Sequence, residues 1–127
     1  MTTLPDLHDG FFDGVWLSPD KRARFFVRTV ARECSTIILP DVEALNISGL
    51  RAGNIIFDLA LIAPDKLTVQ HIEQAYDLKS RDIEMTRRLL DKAQERGLSG
   101  LEVNPSYGAE GTAIFRAVSI VPGHVLA

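Results

Sequence analysis

The strongest constraint on the fold of this chain is a hydrophobic period that changes twice along its length. From Phe11 to Ile62 apolar residues recur at every second position, from Val69 to about Ala93 they recur at three and four, and from Leu101 they return to two. Alternation suits strands of a half-covered sheet, and the longer period suits amphipathic helices. Strands therefore bracket a helical insertion, and short turns between the first strands favour antiparallel pairing. The expected fold class is α+β: a curved antiparallel sheet with two helices packed on one face, in one domain spanning residues 1–127.

Asn54 to Ile62 is the clearest strand, with Ile55, Phe57, Leu59 and Leu61 on one side and Ile56, Asp58, Ala60 and Ile62 on the other. The first set is expected to pack against the helices. Phe11 to Leu17 and Arg22 to Val30 form a hairpin across Ser18-Pro19-Asp20-Lys21, where proline presets the turn and aspartate bonds its own backbone. Thr36 to Leu39 and Val42 to Ile47, on either side of Pro40-Asp41, a pair that interrupts a ladder, fit two short strands or one bulged strand. Helices are expected over Val69 to Leu78, capped by Thr68, and over Arg81 to Arg96, capped by Ser80 and closed by Gly97. Leu101 to Val103 reads as a short strand, Asn104 to Gly111 as a loop, and Thr112 to Val121 as a long final strand.

Composition narrows the function. With 127 residues, 46% of them hydrophobic, the chain has enough apolar material for a core. Its one cysteine, Cys34, can neither staple the fold nor build a thiolate metal site. The net charge of -3 argues against a nucleic-acid coat, which draws affinity from clustered cations. The first residues lack a basic start and an apolar run of signal length, and no segment approaches the roughly 18 apolar residues of a membrane span. A cytoplasmic protein is the expectation.

Catalytic signatures are missing. There is no phosphate-binding glycine loop with its lysine, no zinc-binding helix and no calcium loop. Gly49-Leu50-Arg51-Ala52-Gly53-Asn54 has glycines wrongly spaced for a dinucleotide and leads into a strand. His71-Ile72-Glu73 copies half of a zinc deaminase site whose other half needs two more thiolates. Ser106 lacks the preceding glycine and following helix of a nucleophile elbow. His8 with Asp6, Asp9 and Asp13 is the densest group of possible ligands, yet Asp9-Gly10 and Asp13-Gly14 are ordinary turn or bulge pairs. No catalytic residue, metal or cofactor is therefore assigned.

Two polar patterns remain as binding candidates. Arg22, Arg24 and Arg28, with Arg32 beyond them, share a strand face with Phe26. Guanidiniums around an aromatic can grip an acidic protein surface or, less suited to an acidic domain, a single strand of nucleic acid, whereas a solvated sheet face with Asp58, Asp41 or Glu43 as cross-strand partners is the plainer account. The other candidate is the 104–111 loop, where Tyr107 and Glu110 sit beside two glycines and could orient a small polar molecule.

The runs Gly10-Phe11-Phe12-Asp13-Gly14-Val15-Trp16, Phe25-Phe26-Val27-Arg28, Val42-Glu43-Ala44-Leu45 and Arg51-Ala52-Gly53-Asn54-Ile55-Ile56-Phe57 resemble small bacterial immunity-type β-rich proteins and related uncharacterised domains. The resemblance covers Leu7 to Leu61. It implies a non-enzymatic role in binding another protein, an acidic partner or a second copy, and transfers no functional residue. A small-molecule-binding protein or minor enzyme using the 104–111 loop is the alternative.

Overall fold

A computed structural model describes residues 3–78 and 82–127. Eight strands form one antiparallel sheet: β1 (Phe11–Leu17), β2 (Ala23–Arg28), β3 (Cys34–Leu39), β4 (Ala44–Ser48), β5 (Asn54–Ile62), β6 (Ser99–Tyr107), β7 (Glu110–Phe115) and β8 (Ser119–Pro122). A 3-10 turn at Pro64–Lys66 leads into α1 (Val69–Tyr76) and α2 (Ile83–Glu95) between β5 and β6. The fold is α+β with a curved sheet, and among the described residues no helix is long and apolar enough to cross a membrane.

The spatial order β4-β7-β6-β5-β1-β2-β3-β8 forces the curvature. Six strand spacings separate β3 from β4, about 29 Å in a flat sheet. The link between them, Pro40 to Glu43, reaches at most about 18 Å. The connection from β7 to β8 runs through Arg116 to Val118 and meets the same restriction. The sheet must roll until its ends approach. The Val42 amide donates to the Lys21 carbonyl (2.9 Å) and the Glu43 amide to the Ile114 carbonyl (2.9 Å), so the first link bridges the two ends.

Rolling gives the sheet an inner face that packs on itself. Phe12, Phe25, Val27, Ile37, Leu39, Ile56, Leu59, Leu101, Val103, Ala113 and Phe115 form one buried cluster drawn from both halves of the sheet. Phe12 and Phe25 meet with ring centroids 5.6 Å apart. Helices touch the outer face only. Ile62, Leu67, Ile72, Ala75, Ala93, Leu98 and Ile114 make a second cluster there, and Gln74 of α1 accepts from Thr112 Oγ1 (2.9 Å) and Asn46 Nδ2 (2.9 Å). Burying that apolar stripe holds α1 against strands β4 and β7, and α2 is held in turn by packing on α1.

Several expectations need correction. The strand from Asn54 to Ile62 is present, but its pairing with β6 slips on both sides of Ile56, leaving Phe57 without a register partner. Such a bulge inserts a residue and inverts the alternation. Leu59 and Leu61 accordingly face the inner core rather than the helices, Ile62 faces the helices, and Ile55 and Phe57 are exposed. The second strand stops at Arg28, because Thr29 to Arg32 turn back, with Arg32 in the left-handed region at φ 68° and Val30 exposed. β6 and β7 extend through most of the expected 104–111 loop, leaving a turn at Gly108 and Ala109. The long final strand breaks at Arg116 to Val118, since its second part pairs with β3 on the far side of the sheet. Thr68 caps α1 as expected, with His71 closing the capping box, whereas Asp82 caps α2 by accepting from the Met85 amide (3.0 Å). The expected cap Ser80 and first residue Arg81 lie outside the described residues.

Candidate functional site

The outer face of the rolled sheet is divided into three zones. α1 lies over β4 and β7, and the segment Gly123 to Ala127 lies over β2 and β3. Between them the outer side of β1, β5 and the end of β6 stays uncovered.

Cross-strand pairing lays out that uncovered strip. Phe11 stands opposite Arg28 of β2 on one side and Ile55 of β5 on the other, and Ile55 stands opposite Tyr107 of β6. Paired positions project on the same side of a sheet, so Arg28, Phe11, Ile55 and Tyr107 form one row across four strands. Phe57 is 55% exposed and Tyr107 54% exposed, values that mark large apolar side chains left without cover. The Arg28 guanidinium lies 4.6 Å from the Phe11 ring centroid, and its Nε and Nη2 donate to the two oxygens of Asp13 at 2.6 and 2.9 Å. That bidentate bond pushes the Arg28 pKa up. Asp13 is the extra residue of a bulge between Phe12 and Gly14, which aims its carboxylate at Arg28.

His8 borders the strip. Its Nδ1 donates to the Phe57 carbonyl (2.8 Å) and its ring meets the Phe57 ring edge to face at 5.3 Å. The Phe57 carbonyl, followed by the negative charge of Asp9, raises the His8 pKa above its ordinary value, with Asp6 and Asp58 adding to the effect. Three carboxylates therefore flank the Phe57 end of the strip. Asp13 belongs elsewhere, with Arg28 and His124 (3.5 Å), so the four residues grouped in the sequence divide between two places. Among the described residues no group of three or more His, Cys, Asp or Glu could hold a metal ion.

The arginine stripe is not a solvated face. Arg24 is only 5% exposed: its guanidinium stacks 4.2 Å from the Trp16 ring centroid, Nη1 donates to Ser18 Oγ (2.6 Å) and the Arg22 carbonyl (2.8 Å), and Nε donates to the Ala127 carbonyl (3.0 Å). Arg22 Nε donates to the same carbonyl (3.2 Å). Phe26 packs against His124 with centroids 5.6 Å apart. The stripe's partners are thus Asp13 and the chain's own last residues; Asp58 and Asp41 make no ion pair with it, and Glu43 pairs with Arg96 (2.5 Å), which pulls the Glu43 pKa down.

Tyr107 and Glu110, expected to act together, are parted. Glu110 pairs with Ser48 of β4 and lines a cleft of about 380 Å³ between α1 and strands β4, β6 and β7. Glu73, Asp77, Glu102, Asn46 and Asn104 also line it, and among the described residues no lysine or arginine does. His71 sits beside it as a capping residue: the Thr68 amide donates to Nδ1 (2.9 Å), which leaves the Nε2 proton for Glu102 (3.2 Å). Nothing in the sequence signals that cleft, because its carboxylates come from three separate elements. The row Phe11, Ile55 and Tyr107 was equally hidden, since alternation alone assigns Ile55 to a buried face. Comparison with protein-family models, curated proteins and solved structures gives no match for this chain.

Proposed function

We propose that this chain is a non-enzymatic protein-binding domain whose docking surface is the uncovered strip of β1, β5 and β6, a role of the kind immunity-like and self-associating proteins perform. The observation that carries the reading is the row Arg28, Phe11, Ile55 and Tyr107, with the bulged Phe57 beside it. Aromatic and arginine side chains dominate binding energy at protein interfaces, since they bury large areas at small entropic cost. An acidic partner, suggested by the arginines as a sequence, loses its attraction because Arg22, Arg24 and Arg28 are already engaged. The occupant that fits better presents apolar groups with basic residues at one side, opposite Asp6, Asp9 and Asp58 around His8.

The test is a Phe57→Asp/Tyr107→Asp variant. Both positions are exposed, so the circular dichroism spectrum and urea midpoint should match wild type, while capture of the partner taken from source-cell extract, or self-association in sedimentation velocity, should fall at least tenfold. Unchanged capture and unchanged sedimentation would overturn the assignment.

A second reading rests on the cleft. Its carboxylates and side-chain amides suit a small cationic molecule bearing a primary amine. Saturable heat on titrating a diamine, lost in Glu110→Gln, would favour this reading; heat equal to that of simple salt would remove it.

A further inference from the structure

β5 opens an edge in the middle of the sheet. It pairs with β6 along most of its length, but β1 reaches it only at Phe11 and Phe12. Just beyond, the Ile56 amide donates to the Gly10 carbonyl (2.9 Å), the Ile56 carbonyl accepts from the Asp9 amide (2.9 Å), and His8 Nδ1 donates to the Phe57 carbonyl. Alternate residues of an antiparallel strand direct their backbone groups to opposite neighbours. Leu59 and Leu61 face the inner core as Ile56 does, so past the bulge their N–H and C=O groups also point away from β6. Among the described residues no hydrogen bond meets them on that side.

We propose that β5 takes an extended segment of the partner as an added strand beside Leu59 and Leu61, with apolar side chains turned to the inner face and basic ones to the outer face. The inference rests on the reading of this strip as a docking surface, and it specifies how the partner is held. Main-chain bonds to an open edge give affinity, while side chains at alternate positions give selectivity. On the inner side Leu59 is 9% exposed and Leu61 half-buried, so an apolar side chain there continues the core. On the outer side Asp58 is exposed beside the opening, and Asp6 and Asp9 stand with it around His8. Opposite charges on neighbouring strands attract, which selects lysine or arginine at the outward positions. A second copy pairing here would bring its own three aspartates to the seam, and charge at an edge deters such self-pairing.

Amide exchange of the full chain reads the edge residue by residue. Without a ligand the Leu59 and Leu61 amides should exchange faster than those of Ala60 and Ile62, which bond β6. The probes are the acetylated and amidated peptide Lys-Val-Lys-Val-Lys-Val-Lys and its counterpart with Glu in place of Lys. The lysine peptide should slow exchange at Leu59 and Leu61 saturably and bind at least tenfold tighter than the glutamate peptide at low salt. Leu61→Pro removes an outward N–H and keeps the β6 bonds of Ala60 and Ile62, so it should weaken binding tenfold or more. Asp58→Lys, at an exposed position, should reverse the preference between the two peptides, and it decides the matter where Leu61→Pro fails to fold. No protection of Leu59 and Leu61 by the lysine peptide would overturn the proposal, as would an unchanged preference in Asp58→Lys. Undiminished partner capture by Phe57→Asp/Tyr107→Asp, with both amides still protected, would count against the strip's side chains alone. Lost capture in that variant, without protection at Leu59 and Leu61 in the wild type, would count against the added strand alone.

Discussion

Asn54 carries more of the local architecture than any apolar neighbour. Its Nδ2 donates to the Phe12 (3.1 Å) and Arg51 (3.0 Å) carbonyls, and its Oδ1 accepts from the Arg51 (2.8 Å) and Ala109 (3.0 Å) amides. One buried amide thereby ties β1, the turn before β5 and the β6–β7 turn beside the exposed row. Asn54→Leu keeps the volume and leaves those backbone groups unsatisfied, which should cost about 2 to 4 kcal/mol in urea unfolding. Phe57→Ala should cost less than about 1 kcal/mol, while Phe25→Ala, fully buried on the inner face, should cost about 3 to 5 kcal/mol. The same contrast distinguishes a binding side chain from a core one. His8 offers a pH signature: its folded pKa is raised, so its stabilising contribution is full below the ordinary value near 6.5 and disappears as pH rises through the folded value. Asp9→Asn should move the His8 midpoint downward in a proton NMR titration, and an unmoved midpoint would show that Asp9 does not act on the ring.

Elements were legible where local chemistry decides them. Thr68 capping α1, Gly97 in the left-handed region after α2 at φ 68°, and the span of β1 and β5 follow from neighbouring residues alone. Faces were not legible wherever a bulge intervened, because one inserted residue exchanges the two sides of a strand without altering its composition. Ile55 and Phe57 look like core for that reason, and Tyr107 was visible as a candidate without its companions. Gly111 is an element-level requirement of another kind: a Cβ there would stand 2.0 Å from the Asn46 carbonyl oxygen and 2.7 Å from Ile47 Cδ1. Gly111→Ala should force β4 away from β7 and lower stability by about 1 to 3 kcal/mol or more, with amide exchange accelerated first along β4. Normal protection of Asn46 and Ile47 would show that the edge strand yields without cost.

On the scale of the molecule, the roll of the sheet determines which surfaces remain. It consumes the inner face, gives part of the outer face to α1 and part to the Gly123 to Ala127 strap, and leaves the strip between them. Thr36→Val keeps the side-chain volume at a fully buried site and removes the hydroxyl that donates to the Gly123 carbonyl and accepts from the Val125 amide, so amide exchange at Val125 should accelerate more than tenfold while the inner-core amides of β2 keep most of their protection. Uniform loss of protection in both places would mean that the strap is part of the core's cooperative unit. By itself the sequence determined the periods, the Thr68 cap of α1 and the antiparallel class, because each depends on side chains within a few positions of one another. Only the tertiary structure decided that Phe57 and Tyr107 are exposed, that Glu110 joins Glu73 in a cleft, and that Arg22 and Arg24 meet at Ala127, more than a hundred positions away in the chain. The physical reason is that short connections across a rolled sheet set those distances, and no periodicity encodes where a chain returns.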